Sequence, residues 1–497
     1  MLELFGTGFA AIFANPANIL LIFLGVTAGI VFGALPGLTT VAALSMFLPI
    51  TYGMDLGISL AMLTGIYIGG TSGGLVSAIL LNIPGTPSSI ATCFDGRPLA
   101  LKGQAGKALG VGIFCSFIGT LLSIVAMIFV SPALAALTIK FGPWENFAVT
   151  VFALALISSL VGKSLVKGLL SALLGMMIAT IGLAPIDAAK RYTFGSIELT
   201  SGLTLLPVLV GLYAISEVIA SSAGNDGKDT SIITDFKIRG LGFTLAEIKG
   251  QIVNIIRCAC VGLGIGVLPG IGGSTANLVA YSVTKNASRY PEKFGTGIID
   301  GLVASETANN ATIGGAMIPL LTLGIPGDGA TALLLGGFML HGVTPGPLLF
   351  ETNGLAVYMI FSAMIFSSFL MMLVMYGGMK GFVQILKIPS YILLPVIVVL
   401  CIIGAYATNF RSFDAWGLVF FGVVGLLMQK YAMPIPPLIL GFILGEPFET
   451  NLRRGLQYSN GDFLDILNHP IALMFLALLA AFFGFTAWQK KQREKNT

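Results

Sequence analysis

Charge is what this chain of 497 residues has little of: Asp, Glu, Lys and Arg together make up 10% of it, against 56% hydrophobic residues. Soluble globular proteins carry about 25% charged residues, so an aqueous fold could not hide this much apolar surface, and the solvent must be a bilayer. Histidine is almost absent. His341 and His469 lie far apart in sequence, which speaks against a histidine-based metal site. The five cysteines (Cys93, Cys115, Cys258, Cys260, Cys401) lie in or beside apolar segments and read as small packing residues rather than metal ligands or disulfide partners. MLELFGTGFAAIF at the start has no basic n-region and no small-residue cleavage site, so no cleavable signal peptide is expected. A net charge of +4 without basic–aromatic clustering gives no sign of nucleic acid. No Ser/His/Asp, Cys/His or HExxH pattern is present. VGKSL (Val161–Leu165) has Ile157 where a phosphate loop needs its first glycine, and GLGIG (Gly262–Gly266) lacks the third glycine of a dinucleotide fingerprint. An enzyme is not expected.

What is there, from end to end, is apolar runs of about 17–25 residues, the length a membrane helix requires. Clear spans are Asn18–Leu35, Leu109–Val130, Phe147–Leu160, Gly202–Ala220, Leu355–Gly377 and Ile392–Ala407. The runs are continuous rather than alternating, which excludes an outer-membrane barrel. The expected class is an all-α polytopic membrane protein. Its 64 glycines and 23 prolines are tolerable where neighbouring helices or a cavity satisfy the freed backbone groups.

The chain is written twice. GIVFGALPG (Gly29–Gly37) matches GLGIGVLPG (Gly262–Gly270), GGLVSAILLNIPG (Gly73–Gly85) matches GAMIPLLTLGIPG (Gly315–Gly327), and LPVLVGLYAISE (Leu206–Glu217) resembles PPLILGFILGE (Pro436–Glu446), in the same order. This divides the chain into a first transmembrane repeat over 15–220, a polar cytoplasmic linker over 221–244 and a second repeat over 245–450. A C-terminal transmembrane helix over 469–488, with its apolar run at Ile471–Trp488, and a basic cytoplasmic tail over 489–497 follow. Charge gives the orientation, because Lys and Arg concentrate in cytoplasmic loops. Lys285, Arg289 and Lys293 follow the second LPG segment, whereas ITYGMDLG after the first has neither; Arg97, Lys102 and Lys107 follow the first IPG, whereas HGVTPGPLLFETNG after the second has none. Equivalent loops therefore face opposite sides, and the repeats are expected to be inverted, with the N-terminus periplasmic and the C-terminus cytoplasmic. Arg453 and Arg454 do not fit, since this topology places them outside.

Inverted repeats with matched Gly/Pro interruptions point to the binding site of a secondary transporter. A helix broken inside the membrane exposes N–H groups at the start of its second piece, which favour anions, and C=O groups at the end of its first, which favour cations. Ile-Pro-Gly is suited to break it, since Pro removes a donor and Gly permits other backbone conformations. Candidate substrate contacts are therefore Pro84, Gly85, Thr86, Ser88 and Ser89 at the first break, and Pro326, Gly327, Gly329 and Thr331 at the second. Candidate ion contacts are Gly37, Thr39, Thr40, Gly270, Ser274, Thr275 and Asn277 around the LPG breaks, together with Asn309, Asn310 and Asp328. Glu306, in ASETANNATIGG, reads either as a carrier of a coupling proton or as an interface residue; Asp328, which would repel a carboxylate, reads either as a helix cap or as part of a cation site. Arg97 and Lys102 either attract an anionic substrate or are solvated cytoplasmic charges.

GALPGLTTVAALSMFLPITYGMD, GGTSGGLVSAILLNIPGTPSSIATCFDGRPLALKGQAGKALG and GVLPGIGGSTANLVAYSVTKNA resemble the large, TctA-type membrane subunit of the tripartite tricarboxylate transporters, over essentially the whole chain. The resemblance implies a bacterial inner-membrane system with two partners, a small four-span membrane subunit (TctB-like) and a periplasmic solute-binding protein (TctC-like). It also implies secondary uptake of a carboxylate, citrate or another di- or tricarboxylate or a related organic acid, with aromatic carboxylates in some systems, driven by a cation gradient, Na⁺ or H⁺, with no cofactor. A single-component anion symporter and a channel or scaffold without coupled transport are the other readings open at this stage.

Overall fold

A computed structural model describes residues 2–36, 38–160, 164–223, 240–385 and 390–495. Gly37, residues 161–163 of VGKSL, most of the linker and the last two residues of the tail lie outside them. The chain is all-α. First come α1 (Leu2–Phe13), α2 (Pro16–Ala34), α3 (Thr40–Phe47), α4 (Leu56–Leu81), α5 (Ile90–Leu99) and α6 (Ala105–Thr138). Next are α7 (Pro143–Leu160), α8 (Leu165–Ala179), α9 (Ile197–Thr200), α10 (Leu205–Val210) and α11 (Ser216–Ala223). Beyond the linker follow α12 (Leu245–Val267), α13 (Gly272–Ala287), α14 (Ile299–Leu323), α15 (Gly329–Leu340), α16 (Leu349–Thr352) and α17 (Gly354–Ile385). The last four are α18 (Ser390–Asn409), α19 (Ser412–Lys430), α20 (Ile435–Tyr458) and α21 (Pro470–Lys495). The extended structure among the described residues is a single antiparallel pair, β1 (Gly182–Leu183) and β2 (Lys190–Arg191).

Six helices among the described residues are long and apolar enough to cross a membrane. α4 is one of them, although it is the least hydrophobic, with a mean hydropathy of 1.4 against 2.2 for α2. Its span is wholly buried inside the protein, so its face is met by other helices rather than by lipid. Small residues make that possible. A Cβ on Gly33 of α2 would lie 2.1 Å from the carbonyl oxygen of Gly70, and one on Gly69 of α4 would lie 2.2 Å from that of Val26. α12 and α14 pack in the same manner, with Gly262 and Gly266 against the carbonyls of Ala308 and Thr312 at 2.3 and 2.7 Å.

The chain forms two compact units, each drawing on both halves of the sequence. The larger comprises Met1–Ala135 and Leu205–Leu427 and contains all four LPG and IPG segments. Within it, helix, LPG, short helix, long helix, IPG and short helix occur twice in the same order, as α2–α5 and α12–α15. The smaller unit comprises Ala136–Thr204 and Met428–Thr497, with α8 and α20 crossing closely at Gly175 and Gly441. At one end of it Arg453 is paired with Asp187 at 3.0 Å and Glu449 at 2.8 Å, and Arg191 holds Glu449 at 2.8 Å. Local carboxylates thus pair with Arg453, one of the two arginines that do not fit an exterior position, while the other, Arg454, is exposed.

Candidate functional site

The two IPG breaks are built alike. α4 ends on Asn82 and α14 on Gly324, both left-handed at φ 60° and 69°, and the chain then leaves the helix. It re-enters helix through capping boxes: Thr86 with Ser89 before residues 87–89 and α5, and Asp328 with Thr331 before α15. Contact demands the glycines. A Cβ on Gly85 would lie 2.1 Å from the carbonyl oxygen of Gly33 and 3.0 Å from Cα of Gly74; on Gly327 it would lie 2.7 Å from the carbonyl oxygen of Gly266 and 2.6 Å from Cα of Ala316. Gly33 and Gly266 precede the two LPG segments, so each IPG break rests on the LPG break of its own half. In the second half the Gly270 N–H also donates to the Gly327 carbonyl at 2.7 Å.

The short helices then cross over. α13 packs on residues 87–89 of the first half, and α3 packs on α15 of the second. Two consecutive glycines at the start of α13 touch both IPG breaks: a Cβ on Gly272 would lie 3.2 Å from Cβ of Asp328, and one on Gly273 would lie 3.0 Å from Cβ of Ser88 and 2.6 Å from Oδ1 of Asn309. A Cβ on Gly329 would come within 3.3 Å of Val41 in α3. All four interruptions therefore converge on one region of the larger unit.

The sequence-predicted residues take different places there. Thr39 caps α3, accepting from the Ala42 N–H at 3.2 Å, and Thr40 is buried against Gly70. Gly85, Thr86 and Ser89 are buried, whereas Pro84 and Ser88 are half-buried, and the Ser88 hydroxyl lies 3.0 Å from that of Thr86. Pro326, Gly327 and Thr331 are buried and Gly329 is half-buried. Asp328 is a helix cap: Oδ1 accepts from the Thr331 N–H and hydroxyl, both at 2.8 Å, and Oδ2 accepts from the Tyr67 hydroxyl at 2.6 Å. Its carboxyl group sits at the positive end of α15, whereas the corresponding cap of the 87–99 segment, Thr86, is neutral. Ser274 is half-buried and Thr275 exposed on α13.

Asn277 donates its amide to the Ser88 carbonyl, and Asn309 donates to that of Thr71 at 3.3 Å. With both NH₂ groups held, the amide oxygens of Asn277 and Asn309 are left buried without a donor. Such an orphaned acceptor costs about 1–3 kcal/mol, and an oxygen-seeking cation between these elements would remove that cost. Asn310 is engaged elsewhere: its oxygen accepts from Ser72 at 2.7 Å and its NH₂ donates to the Ser116 hydroxyl at 2.9 Å. Glu306, fully buried, accepts from Thr92 and from Ser116 at 3.0 Å. Arg97 donates to the Leu80 carbonyl and Lys102 to that of Thr296 at 2.7 Å, which ties the end of α5 to the loop before α14.

Sequence reasoning passed over Tyr67, Tyr213, Thr71, Ser72 and the Gly272–Gly273 pair. Tyr213 lies beside Gly329, where an added Cβ would sit 3.0 Å from its hydroxyl oxygen. The signal for Thr71 and Ser72 was present in GGTSGG, two hydroxyls between glycine pairs in a helix too buried to need them for solubility.

The tripartite tricarboxylate transporter TctA family matches residues 19–440. An uncharacterized 52.8 kDa protein in the TAR-I ttuC′ 3′ region of Agrobacterium vitis is 35% identical over 464 residues, 93% of this chain and 92% of that protein. A second A. vitis protein, uncharacterized and in the TAR-II ttuC′ 3′ region, is 38% identical over 214 residues, 43% of this chain and 88% of its own length. No solved structure matches. With its all-helical spans and this match over most of its length, the chain belongs to the tripartite tricarboxylate transporter TctA family, and is a multi-pass membrane subunit of a transporter and not an enzyme.

Proposed function

We propose that this chain is the permease subunit for ion-gradient-driven uptake of a carboxylate, a citrate-like tricarboxylate or a dicarboxylate. It works in the bacterial inner membrane beside a small four-span subunit and a periplasmic solute-binding protein. The observation that carries the reading is the meeting of both IPG breaks with the second LPG at Gly272–Gly273, the first LPG being joined to them through the Gly33–Gly85 contact. A single proline kink needs no ligand, but matched breaks gathered in one region bring together backbone N–H and C=O groups that lipid cannot satisfy.

The substrate carboxylate lies against the helix start at Gly85, Thr86, Ser88 and Ser89, which carries no charge of its own. Gly327, Gly329 and Thr331 complete the site from the opposite half, with Asp328 turning that end toward the coupling cation. The orphaned oxygens of Asn277 and Asn309 coordinate the cation, which we read as Na⁺, a reading their hard, neutral oxygen donors support. The two copies run in opposite directions through the membrane, a reading supported by the opposite charge bias of their equivalent loops and by the bonds that join the basic loops after the first IPG and the second LPG.

The test is uptake of citrate into proteoliposomes holding both membrane subunits, with the binding protein supplied outside. Uptake that needs both the binding protein and an inward Na⁺ gradient is expected. Absence of gradient-dependent uptake of citrate and related carboxylates with a cognate binding protein would overturn the proposal.

A further inference from the structure

Two carboxyl groups are buried in the larger unit close to α5, and they are built in opposite ways. Asp95 sits in fixed donors: its Oδ1 accepts from the N–H groups of Gly295, Gly297 and Ile298 at 3.0, 2.7 and 3.0 Å, and its Oδ2 accepts from the Tyr281 hydroxyl at 2.8 Å. A backbone N–H can only donate, so Oδ1 faces three fixed donors and no acceptor, and only the Tyr281 hydroxyl at Oδ2 can turn either way. Glu306, on α14 and equally buried, is met mainly by groups that turn both ways. Its oxygens meet the hydroxyls of Thr92 on α5 and Ser116 on α6, the latter at 3.0 Å, and Oε2 also accepts from the Asn310 NH₂ at 3.5 Å. A hydroxyl donates to a carboxylate and, after rotating, accepts from a carboxylic acid. Thr92 even has a second acceptor for its own proton, the Ser305 hydroxyl at 3.4 Å. Among the described residues no Lys, Arg or His bonds to Glu306. An intramembrane carboxyl without a cation is costly to keep for packing alone.

We propose that Glu306 is a proton-carrying group of the transport cycle. The proposal rests on the transport reading above, but not on which carboxylate is carried or on the Asn277–Asn309 cation site. In one half-cycle the carboxylate takes a proton from hydronium in water admitted from one face and becomes the neutral acid; in the other it returns that proton to water on the opposite face. Thr92 links this group to the breaks, because it lies one turn beyond Ser88 on the same face of the helix segment that starts at the first IPG. A shift of that segment when substrate binds therefore moves a hydrogen-bond partner of Glu306. The other titratable groups around it are Cys93 on α5 and Cys115 on α6. Cys258 on α12 is bonded to Asn254 and Thr284, Asp95 and Tyr281 bond each other, and Asp328 is held by Tyr67. α4 presents Ser72, through Asn310, and apolar Leu75.

Two measurements on the full chain in lipid test it. Infrared difference spectra titrated from alkaline to acid pH should show one buried carboxylic-acid carbonyl band that is absent in E306Q; spectra identical in the two proteins would overturn the proposal. This readout needs no substrate, so it decides the question even if citrate proves not to be carried. In the reconstituted tripartite system with the membrane potential clamped, an inward gradient of about one pH unit should raise steady-state citrate accumulation up to about tenfold, as one proton per substrate requires. E306Q should lose that rise while still exchanging citrate at equal pH on both sides. Retention of the pH-driven rise in E306Q would refute a proton-carrying role. Should E306Q fail to fold, E306D carries the same test, with its carbonyl band and pH profile displaced from wild type; unmoved profiles would count against the idea.

Discussion

Asp328 shows how much one residue changes a repeated design. Where the first half has a neutral Thr86 as cap, the second has a carboxylate that also holds Tyr67 across to α4. Asn caps a helix as well as Asp, so Asp328→Asn separates the cap from the charge. Thermal unfolding should move by less than about 1 kcal/mol, while the Na⁺ concentration for half-maximal citrate uptake should rise about tenfold, a coupling of about 1.4 kcal/mol. Equal losses in both would show that Asp328 matters only as a cap. Asn309→Leu, which keeps the bulk but removes the orphaned oxygen, should likewise raise the half-saturating Na⁺ about tenfold with little change in folding; an unaltered Na⁺ dependence would place the cation elsewhere. The sequence pointed to Asn309 and Asn310 together as polar residues entering an apolar segment. Only side-chain direction on the helix separates them, sending Asn309 toward Gly273 and Asn310 toward Ser116.

At the scale of elements, the breaks were legible because Pro and Gly act on the backbone locally. Helix ends at Asn82 and Gly324 and restarts behind Thr86 and Asp328 follow from the letters IPG and the small polar residues after them. The burial of α4 was not legible, because its glycines and hydroxyls lower its hydropathy and the partners that need them are remote in sequence. Packing at those glycines gives a graded prediction. Gly33→Ala and Gly266→Ala put a Cβ 2.1 and 2.7 Å from backbone oxygens and should each destabilise the chain by about 1–3 kcal/mol, Gly33 more; Gly264→Ala, with nothing within 4 Å, should be close to neutral in the same unfolding assay. In the smaller unit, the N–H of Ala189 and then the Arg453 guanidinium hold the Asp187 carboxyl below the usual carboxylate range. A depressed folded value means that the contact contributes above the ordinary carboxylate range and is lost as pH falls through the lower, folded one. Hydrogen exchange around β1 and β2 should therefore quicken on acidification below that range, and in Asp187→Asn this acid-dependent part should vanish.

For the whole molecule, the bonds from Lys102 to Thr296 and from Gly295 to Asp95 bring the basic loops after the first IPG and the second LPG to one end of the larger unit. Single cysteines at 102 and 289, in a background without the five native cysteines, should react with an impermeant maleimide from the same side of the membrane. Labelling from opposite sides would sink the inverted arrangement. By itself the sequence determined the solvent, the helical class, the places where helices break and the family, because these depend on hydropathy summed over local windows and on the backbone chemistry of Pro and Gly. Only the tertiary structure decided that both IPG breaks meet the second LPG at Gly272–Gly273, that Asn277 and Asn309 keep unpartnered oxygens, and that Glu306 is met by two hydroxyls and the Asn310 amide while Oδ1 of Asp95 is held by fixed N–H groups. Those are relations between residues that lie up to 238 positions apart. Which group ends beside which is set by close helix packing over the whole unit, and no local pattern encodes it.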